Sequence, residues 1–291
     1  MNGERLKKMK KKILNGLLKG VAGLPLPLLY LFSDFVYFVL YHVIGYRKKV
    51  VRENLKSSFP EKDAKELKRI EKEYYHFLGD VMVETVKLAC ISDKELRKRV
   101  EVRNPEVVNE AVEREGKNVV LLLGHYGNWE WVQEISRYFS DKAYQGSIYH
   151  PLNDKLWDEI YLGLRSRWGA HIVPQRNAVR VLLDRDHFPW IFGFIADARP
   201  MESLKDNHTM FLNHDTRFIY GPETIGNKTK AAFFYLEMEK TGRGRYAITF
   251  HPLEGLDDGK PYPVSRQFWK EFEKTVRRAP GLWLWSHKRW K

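Results

Sequence analysis

Cysteine is almost absent from this 291-residue sequence, which contains only Cys90. One cysteine cannot build a disulfide framework or a cysteine-rich zinc site, so both are excluded. A reducing compartment fits this composition. Internal repeats and low-complexity segments are not evident either. Hydrophobic residues make up 43% of the chain, enough for the core of one large domain or of one domain with appendages.

Acidic residues are fewer than basic ones, 37 against 50, which gives a formal net charge of +13. This excess predicts attraction to an acidic partner, namely nucleic acid, anionic lipid head groups or an acidic carrier protein. No recognisable nucleic-acid-reading module is present in the sequence, which disfavours nucleic acid.

The N-terminal region narrows this choice. Residues 1–12 carry six basic side chains, and an apolar stretch from about Val21 to Ile44 follows. No small-residue cleavage site comes after that stretch, so we expect it to be retained. We therefore predict a basic N-terminus and membrane anchor over residues 1–46 and one further domain over residues 47–291.

The form of this anchor stays open. Residues 28–45 are close to the minimum length for crossing a bilayer, but Asp34 and His42 interrupt them. On a helix these two side chains lie about 80° apart, so they could form one polar stripe facing the protein. The alternatives are a full span, insertion into one leaflet, and a buried core helix.

An α/β fold is predicted from the rest of the chain. Residues 61–90 have apolar positions at helical spacing, Met82 among them, and residues 105–114 predict a shorter helix. Apolar strand-like segments then alternate with helical ones, which indicates a mixed, mostly parallel sheet flanked by helices. A loop at 241–245 suggests an antiparallel hairpin at one end of that sheet. The predicted strands are 118–125, 143–149, 170–174, 188–196, 232–239 and 246–254, and the predicted helices between the earlier ones are 129–140, 153–168 and 176–186.

The stretch LLLGHYGNWEW, residues 121–131, concentrates polar groups after an apolar strand. Ligands of α/β sheets bind beyond the carboxyl ends of the strands, so His125 is expected in the crevice. Gly124 and Gly127 would let the backbone turn sharply and approach a ligand. On a continuous helix His125 and Glu130 would lie about 140° apart, so only a turn lets them meet. If they do, Glu130 accepts a hydrogen bond from one imidazole nitrogen and the other nitrogen can take a proton from a substrate hydroxyl.

The His-x4-Glu pattern within GHYGNWEW resembles the late acyltransferases of lipid A biosynthesis, within the wider glycerophospholipid acyltransferase superfamily. The resemblance covers nearly the whole chain and includes RENLKSSFPEK, YHPLND, RSRWG, IADARP, FLNHDTRFIYGPE and the terminal PGLWLWSHKRWK. It implies that His125 is the general base on an acceptor hydroxyl, that Glu130 supports it, and that the hydroxyl attacks an acyl thioester. It further implies an acyl carrier protein or acyl-CoA donor, a lipid acceptor, no nucleic acid and the cytoplasmic face of the bacterial inner membrane.

Three departures from the family pattern bear on the acceptor. His150 stands where many members have arginine, Asp197 is followed by alanine instead of glutamine, and FLNHD replaces the customary Phe-Leu-Gly. The pair of His125 and Glu130 is unaffected.

A lipid A precursor is the predicted acceptor, and a lysophospholipid, another glycolipid or an amino-acid lipid is the alternative. A catalytically idle lipid-binding protein is disfavoured by the intact pair.

Four residues are predicted to bind substrate: Asn128, His150, Arg165 and Asp197. Asn128 would orient the acceptor or cap a helix. Arg165 and Arg167 would each bind a phosphate or remain solvated. Asp197 ends a second apolar strand and would face the same crevice. The C-terminal tryptophans predict an interfacial belt or core packing, the latter for Trp283 and Trp285. We predict no cofactor, and no metal site from His208, His214 and Asp215, which have no recognisable ligand spacing.

Overall fold

The computed structural model describes residues 3–200 and 207–290, except the side chains of residues 3–8 and 10. Its helices are α1 (Gly3–Gly23), α2 (Leu26–Phe38), α3 (Lys48–Ser58), α4 (Ala64–Lys87), α5 (Asp93–Arg97), α6 (Glu106–Glu113), α7 (Lys155–Arg165), α8 (Ala178–Leu183), α9 (Gly221–Lys228) and α10 (Pro263–Arg278). Its strands are β1 (Val100–Val102), β2 (Val119–Leu123), β3 (Tyr144–Tyr149), β4 (His171–Pro174), β5 (Trp190–Ile195), β6 (His208–Phe211), β7 (His214–Arg217), β8 (Ala232–Gly242) and β9 (Arg245–Pro252).

Seven strands form one sheet in the order β1-β9-β8-β2-β5-β3-β4. All neighbouring pairs are parallel except the β8–β9 hairpin. The predicted mixed, mostly parallel sheet is confirmed. The hairpin, however, does not end the sheet, because the unpredicted three-residue β1 pairs with β9 outside it. Strands β6 and β7, also unpredicted, form a separate two-stranded hairpin.

Strand β2 is buried along its whole length. Val120 and Leu122 pack into one hydrophobic cluster with α4 and α10, whereas Val119, Leu121 and Leu123 pack into a second with α6. This burial on both faces explains the unbroken apolar run, because strands covered on both sides have no solvent face to mark with polar residues.

Helix α4 confirms the predicted helix at 61–90. Asp63 caps its first turn by accepting a hydrogen bond from the Glu66 amide at 2.7 Å. Ile70, Tyr74 and Phe77 are buried as their spacing predicts. Met82 is an exception with 48% exposure. It lines an apolar groove between α1, α2 and α4 together with Val21, Leu29, Phe32, Val36, Val83 and Val86.

The predicted helix at 129–140 forms as a 3-10 helix, Trp131–Tyr138. Its start lies six residues past His125, so the segment between is a non-helical turn. A turn at this position is what His125 and Glu130 need to approach each other.

Helix α2 continues as a π-helix, Val39–Ile44, that ends at the left-handed Gly45. The segment Leu26–Ile44 is long and apolar enough to cross a membrane, and only 17% of it is buried. A core helix would be mostly buried, so its outer side is unusually apolar for a protein surface.

The inner side of α2 packs antiparallel along α4. Tyr30 donates a hydrogen bond to Glu84 at 2.8 Å, and Ser33 donates one to Asp80 at 2.8 Å. Further along, the ring of Tyr37 stacks on that of His76, with centroids 3.5 Å apart. Asp34, one of the two polar interruptions, pairs with Arg243 in the β8–β9 turn. The apolar helix is therefore tied to the domain through its polar residues.

Candidate active site

The site lies where β2 and β5 end. These strands are parallel neighbours with Leu123 opposite Ile195, and the Ala196 amide donates to the Leu123 carbonyl at 2.7 Å. His125 and Asp197 each follow their strand by two residues. The register of the sheet therefore places both side chains at the same edge.

His125 and Asp197 form a close hydrogen-bonded pair. The imidazole Nδ1 is 2.7 Å from Asp197 Oδ1, and the His125 amide donates to Asp197 Oδ2 at 2.9 Å. The indole of Trp283 donates to the same Oδ2 at 2.8 Å. Asp197 is 3% exposed, so these donors take the place of the water that would otherwise solvate its carboxylate.

Electrostatics fix the protonation of this pair. Burial raises the pKa of Asp197, but His125 and the hydrogen bonds from His125 and Trp283 outweigh it and bring the pKa down to about 2. Burial lowers the pKa of His125, and the charges of Asp197 and Glu130 raise it above its ordinary value. An ionised Asp197 can only accept, so Nδ1 carries a proton and neutral His125 has its lone pair on Nε2.

Glu130 has a different partner from the one considered in the sequence analysis. Its carboxylate accepts two hydrogen bonds from Arg165, Nε at 2.9 Å and Nη2 at 2.6 Å, and a third from the Trp129 indole at 3.2 Å. Asp197, not Glu130, holds Nδ1 of His125. Glu130 acts on the imidazole through its charge, and Arg165 is brought to the site by Glu130.

Arg165 is the last residue of α7 and remains 22% exposed beside the 8% exposed Glu130. The ionic hydrogen bonds to Glu130 raise the pKa of Arg165, although burial opposes this. A bidentate pair of this kind fixes the plane of the guanidinium. Arg167 points elsewhere, because its Nη1 donates to the Leu88 carbonyl at 2.6 Å.

Asn128 is fully buried and both ends of its amide are used within the protein. Its Oδ1 accepts from the Trp131 amide at 3.1 Å and its Nδ2 donates to Glu84 at 2.6 Å. Of the two readings of Asn128, this geometry favours the helix cap over contact with the acceptor.

The two glycines of the turn are required by packing. Gly127 has a φ of +58°, and a Cβ there would lie 2.7 Å from Sδ of Met238. A Cβ on Gly124 would lie 2.2 Å from Cζ of Phe272. The close approach that the sequence analysis ascribed to a ligand is therefore made by the protein's own core.

The remaining predicted residues are dispersed. His150 is exposed just after β3, at the same edge of the sheet, with Nδ1 3.0 Å from the Pro151 carbonyl oxygen. His208 and Asp215 pair with each other on the β6–β7 hairpin. Within residues 3–200 and 207–290, no three His, Cys, Asp or Glu side chains converge as a metal site would require.

Trp283 and Trp285 are core residues, 2% and 0% exposed, so neither belongs to an interfacial belt. Sequence reasoning missed the indole of Trp283 as a partner of Asp197. The sequence offered one indication of this contact, because the indole N–H of a buried tryptophan needs a hydrogen-bond acceptor.

Comparison with known proteins agrees with this geometry. A model of the family described as bacterial lipid A biosynthesis acyltransferase matches residues 5–291. No curated protein matches the chain. Because the match spans almost the entire length, the chain belongs to the bacterial lipid A biosynthesis acyltransferase family and is an acyltransferase.

Proposed function

We propose that the protein moves a fatty acyl chain from a thioester to a hydroxyl of a lipid A precursor, with His125 as the general base. The main support for this proposal is the hydrogen bond between Nδ1 of His125 and Asp197. It leaves Nε2 as the basic atom of a side chain that is 29% exposed. Asp197 is thus a positioning residue, since it sets the tautomer of His125 and is itself buried.

The reaction balances with these residues. Nε2 of His125 removes the proton from the acceptor hydroxyl as its oxygen attacks the thioester carbonyl. The tetrahedral intermediate collapses with cleavage of the C–S bond, and the imidazolium gives its proton to the departing thiolate. Asp197 stabilises the imidazolium while it exists, as the carboxylate of a Ser-His-Asp triad does.

Glu130 and Arg165 serve the same reaction as a pair. Arg165 supplies a fixed positive charge for the carbonyl oxygen that becomes negative or for a substrate phosphate. Glu130 holds Arg165 in place and raises the basicity of His125. His150 lies at the same strand edge and is proposed to contact the acceptor. A lysophospholipid, another glycolipid or an amino-acid lipid remains the alternative acceptor.

Helix α2 is proposed to lie along the cytoplasmic leaflet of the inner membrane instead of spanning it. Its inner side is bonded to α4 and the β8–β9 turn, so a span would carry Asp80, Arg243 and Glu84 into hydrocarbon. Unpaired backbone and charge are costly there. The outer side offers exposed apolar residues instead, including Leu31, Phe35 and Phe38.

The first prediction concerns the base. Changing His125→Ala removes the proton acceptor and should lower transfer by about 10²–10⁴-fold. The matched control is His208→Ala on the exposed hairpin, which should retain activity. Transfer is measured with purified, folded protein and a lipid A precursor. Near wild-type turnover by the His125 variant would refute the mechanism.

The second prediction concerns α2. In a Cys90→Ser background, single cysteines placed at Leu24 and at Tyr46 mark the two ends of the segment. A helix lying in one leaflet should let an impermeant maleimide label both from the cytoplasmic side alone. Labelling from opposite sides would indicate a span, and complete release into the soluble fraction at high salt would argue against membrane insertion.

The third prediction concerns the donor, for which acyl carrier protein is proposed because its acidic surface suits the basic chain. Arg176 is exposed just after β4, at the active-site edge of the sheet, whereas Arg114 precedes β2 at the opposite edge. With the same acyl chain, Arg176→Glu should lower kcat/KM for the carrier protein more than for the coenzyme A thioester, and Arg114→Glu should change neither. Equal use of both donors by wild type and both variants would contradict this assignment.

A further inference from the structure

The buried carboxyl group of Glu84 has no part in the reaction described so far. It lies on α4 with no exposure to solvent. Its Oε1 accepts a hydrogen bond from the Tyr30 hydroxyl at 2.8 Å, and its Oε2 accepts one from Asn128 Nδ2 at 2.6 Å and one from the Tyr246 hydroxyl at 2.8 Å. A carboxylate that gathers donors from α2, β9 and the active-site turn is a junction between three separate elements.

Burial raises the pKa of Glu84 to about 7, while its hydrogen bonds to Tyr246, Tyr30 and Asn128 act in the opposite direction. A buried carboxyl group destabilises the fold unless its partners compensate. Three donors compensate here, and an apolar residue in place of Glu84 would leave all three without an acceptor in the interior.

The active-site turn is held to Glu84 at two levels. The side chain of Glu84 binds Asn128, whose Oδ1 caps the Trp131 amide. The main-chain oxygen of Glu84 accepts a hydrogen bond from the Trp131 indole at 3.0 Å. Together these contacts form a closed ring of hydrogen bonds among three residues, two of which belong to the turn.

This turn carries both His125 and Glu130, and it has little regular structure of its own. Its main chain is also attached to the C-terminal segment, where the Gly127 amide donates to the Leu282 carbonyl at 3.1 Å, and to Asp197 through the His125 amide. Asn128 stands midway between the two functional side chains. A shift of Asn128 would therefore displace His125 relative to Glu130. Arg165 would move with Glu130, because the two side chains are hydrogen-bonded.

We propose that Glu84 is a positioning residue for acyl transfer, which fixes the turn from His125 to Trp131 by holding Asn128 against α4. The proposal rests on the function proposed above for His125. Proper orientation of reacting groups is energetically important, since a misplacement of about 1 Å can cost about 10²-fold in rate.

Helix α4 offers a matched control one turn earlier. Asp80 is also buried, at 3% exposure, and its carboxylate also holds α2, through Ser33. Its other partners are Lys240 and Arg243, and it does not contact the active-site turn. Loss of Asp80 therefore reports the general effect of removing a buried carboxylate and loosening α2.

The test compares Glu84→Ala, Glu84→Gln and Asp80→Ala in detergent, with kcat and KM measured separately on folded protein. Glu84→Ala should lower kcat by about 10–10²-fold with little change in KM. Glu84→Gln should recover most of the loss, because its amide oxygen can face Asn128 while its NH₂ group faces the Tyr30 hydroxyl. Asp80→Ala should destabilise the protein but keep kcat within about twofold.

Two readouts separate this proposal from a purely structural role and from the proposed function. The double variant Glu84→Ala, Asn128→Ala should lose clearly less activity than the sum of the two single losses, since the Glu84–Asn128 hydrogen bond is broken by either change alone. Hydrogen exchange over residues 124–131 should accelerate in Glu84→Ala and not in Asp80→Ala, and this readout needs no activity. If Glu84→Ala does not fold, Asn128→Ala breaks the same contact from the other side and should lower kcat at least as much, because it also removes the acceptor of the Trp131 amide.

Unchanged kcat in Glu84→Ala, an equal fall in Asp80→Ala, or additive losses in the double variant would each overturn the positioning role. An active His125→Ala variant would instead refute the proposed function. In that case the exchange measurement would still decide whether Glu84 holds the turn.

Discussion

The hydrogen bond between Asp197 and His125 is the interaction on which the rest of the site depends. It determines which imidazole nitrogen carries the proton, and so which nitrogen is left as the proposed base. The bond exists because β2 and β5 are parallel neighbours in register, which brings two residues separated by 72 positions to the same strand edge. The sheet thus acts directly on the chemistry through its register.

The pair is completed from the far end of the chain. Trp283 lies in the core and directs its indole N–H at Asp197. The same segment fixes Gly127 through Leu282, and Asn54 of α3 holds it by donating to the carbonyl oxygens of Trp285 and His287, each at 3.0 Å. The C-terminal segment therefore belongs to the active site even though it contributes no proposed catalytic group. Glu84 holds the opposite side of the turn, so that His125 lies between two independent attachments.

Much of the architecture could be predicted from local patterns. The apolar run before His125 indicated a strand covered on both faces, and helical spacing indicated α4. The short β1 and the β6–β7 hairpin were missed because three or four residues carry too little periodicity to be recognised. Met82 shares the helical spacing of the buried residues of α4, but spacing gives only the face of a helix, and the packing of α2 leaves this part of the face open.

The candidate site was expected at the strand ends, where the structure brings His125 and Asp197 together, but its pairings could not be derived from the sequence. Glu130 seemed the natural partner of His125 because it is close in the chain, yet Asp197 comes closer in space through strand pairing. The hydrogen bonds of Glu130 to Arg165 and of Glu84 to Asn128 have no sequence signature, since each joins elements that are distant in the chain. The excess of basic residues predicts an acidic partner, and the family match shows that the protein is an acyltransferase.

The protonation state of His125 is the central claim, and ¹⁵N NMR of histidine-labelled protein observes it directly, with the His125→Ala protein used to assign the signal. Above its pKa, which should exceed the ordinary value, His125 should show a protonated Nδ1 and an unprotonated Nε2. In Asp197→Asn the preference for this tautomer should disappear and the pKa should fall, because the carboxylate no longer accepts from Nδ1 or stabilises the imidazolium. A neutral His125 protonated at Nε2 in the wild-type protein, or a spectrum unchanged by Asp197→Asn, would contradict the account.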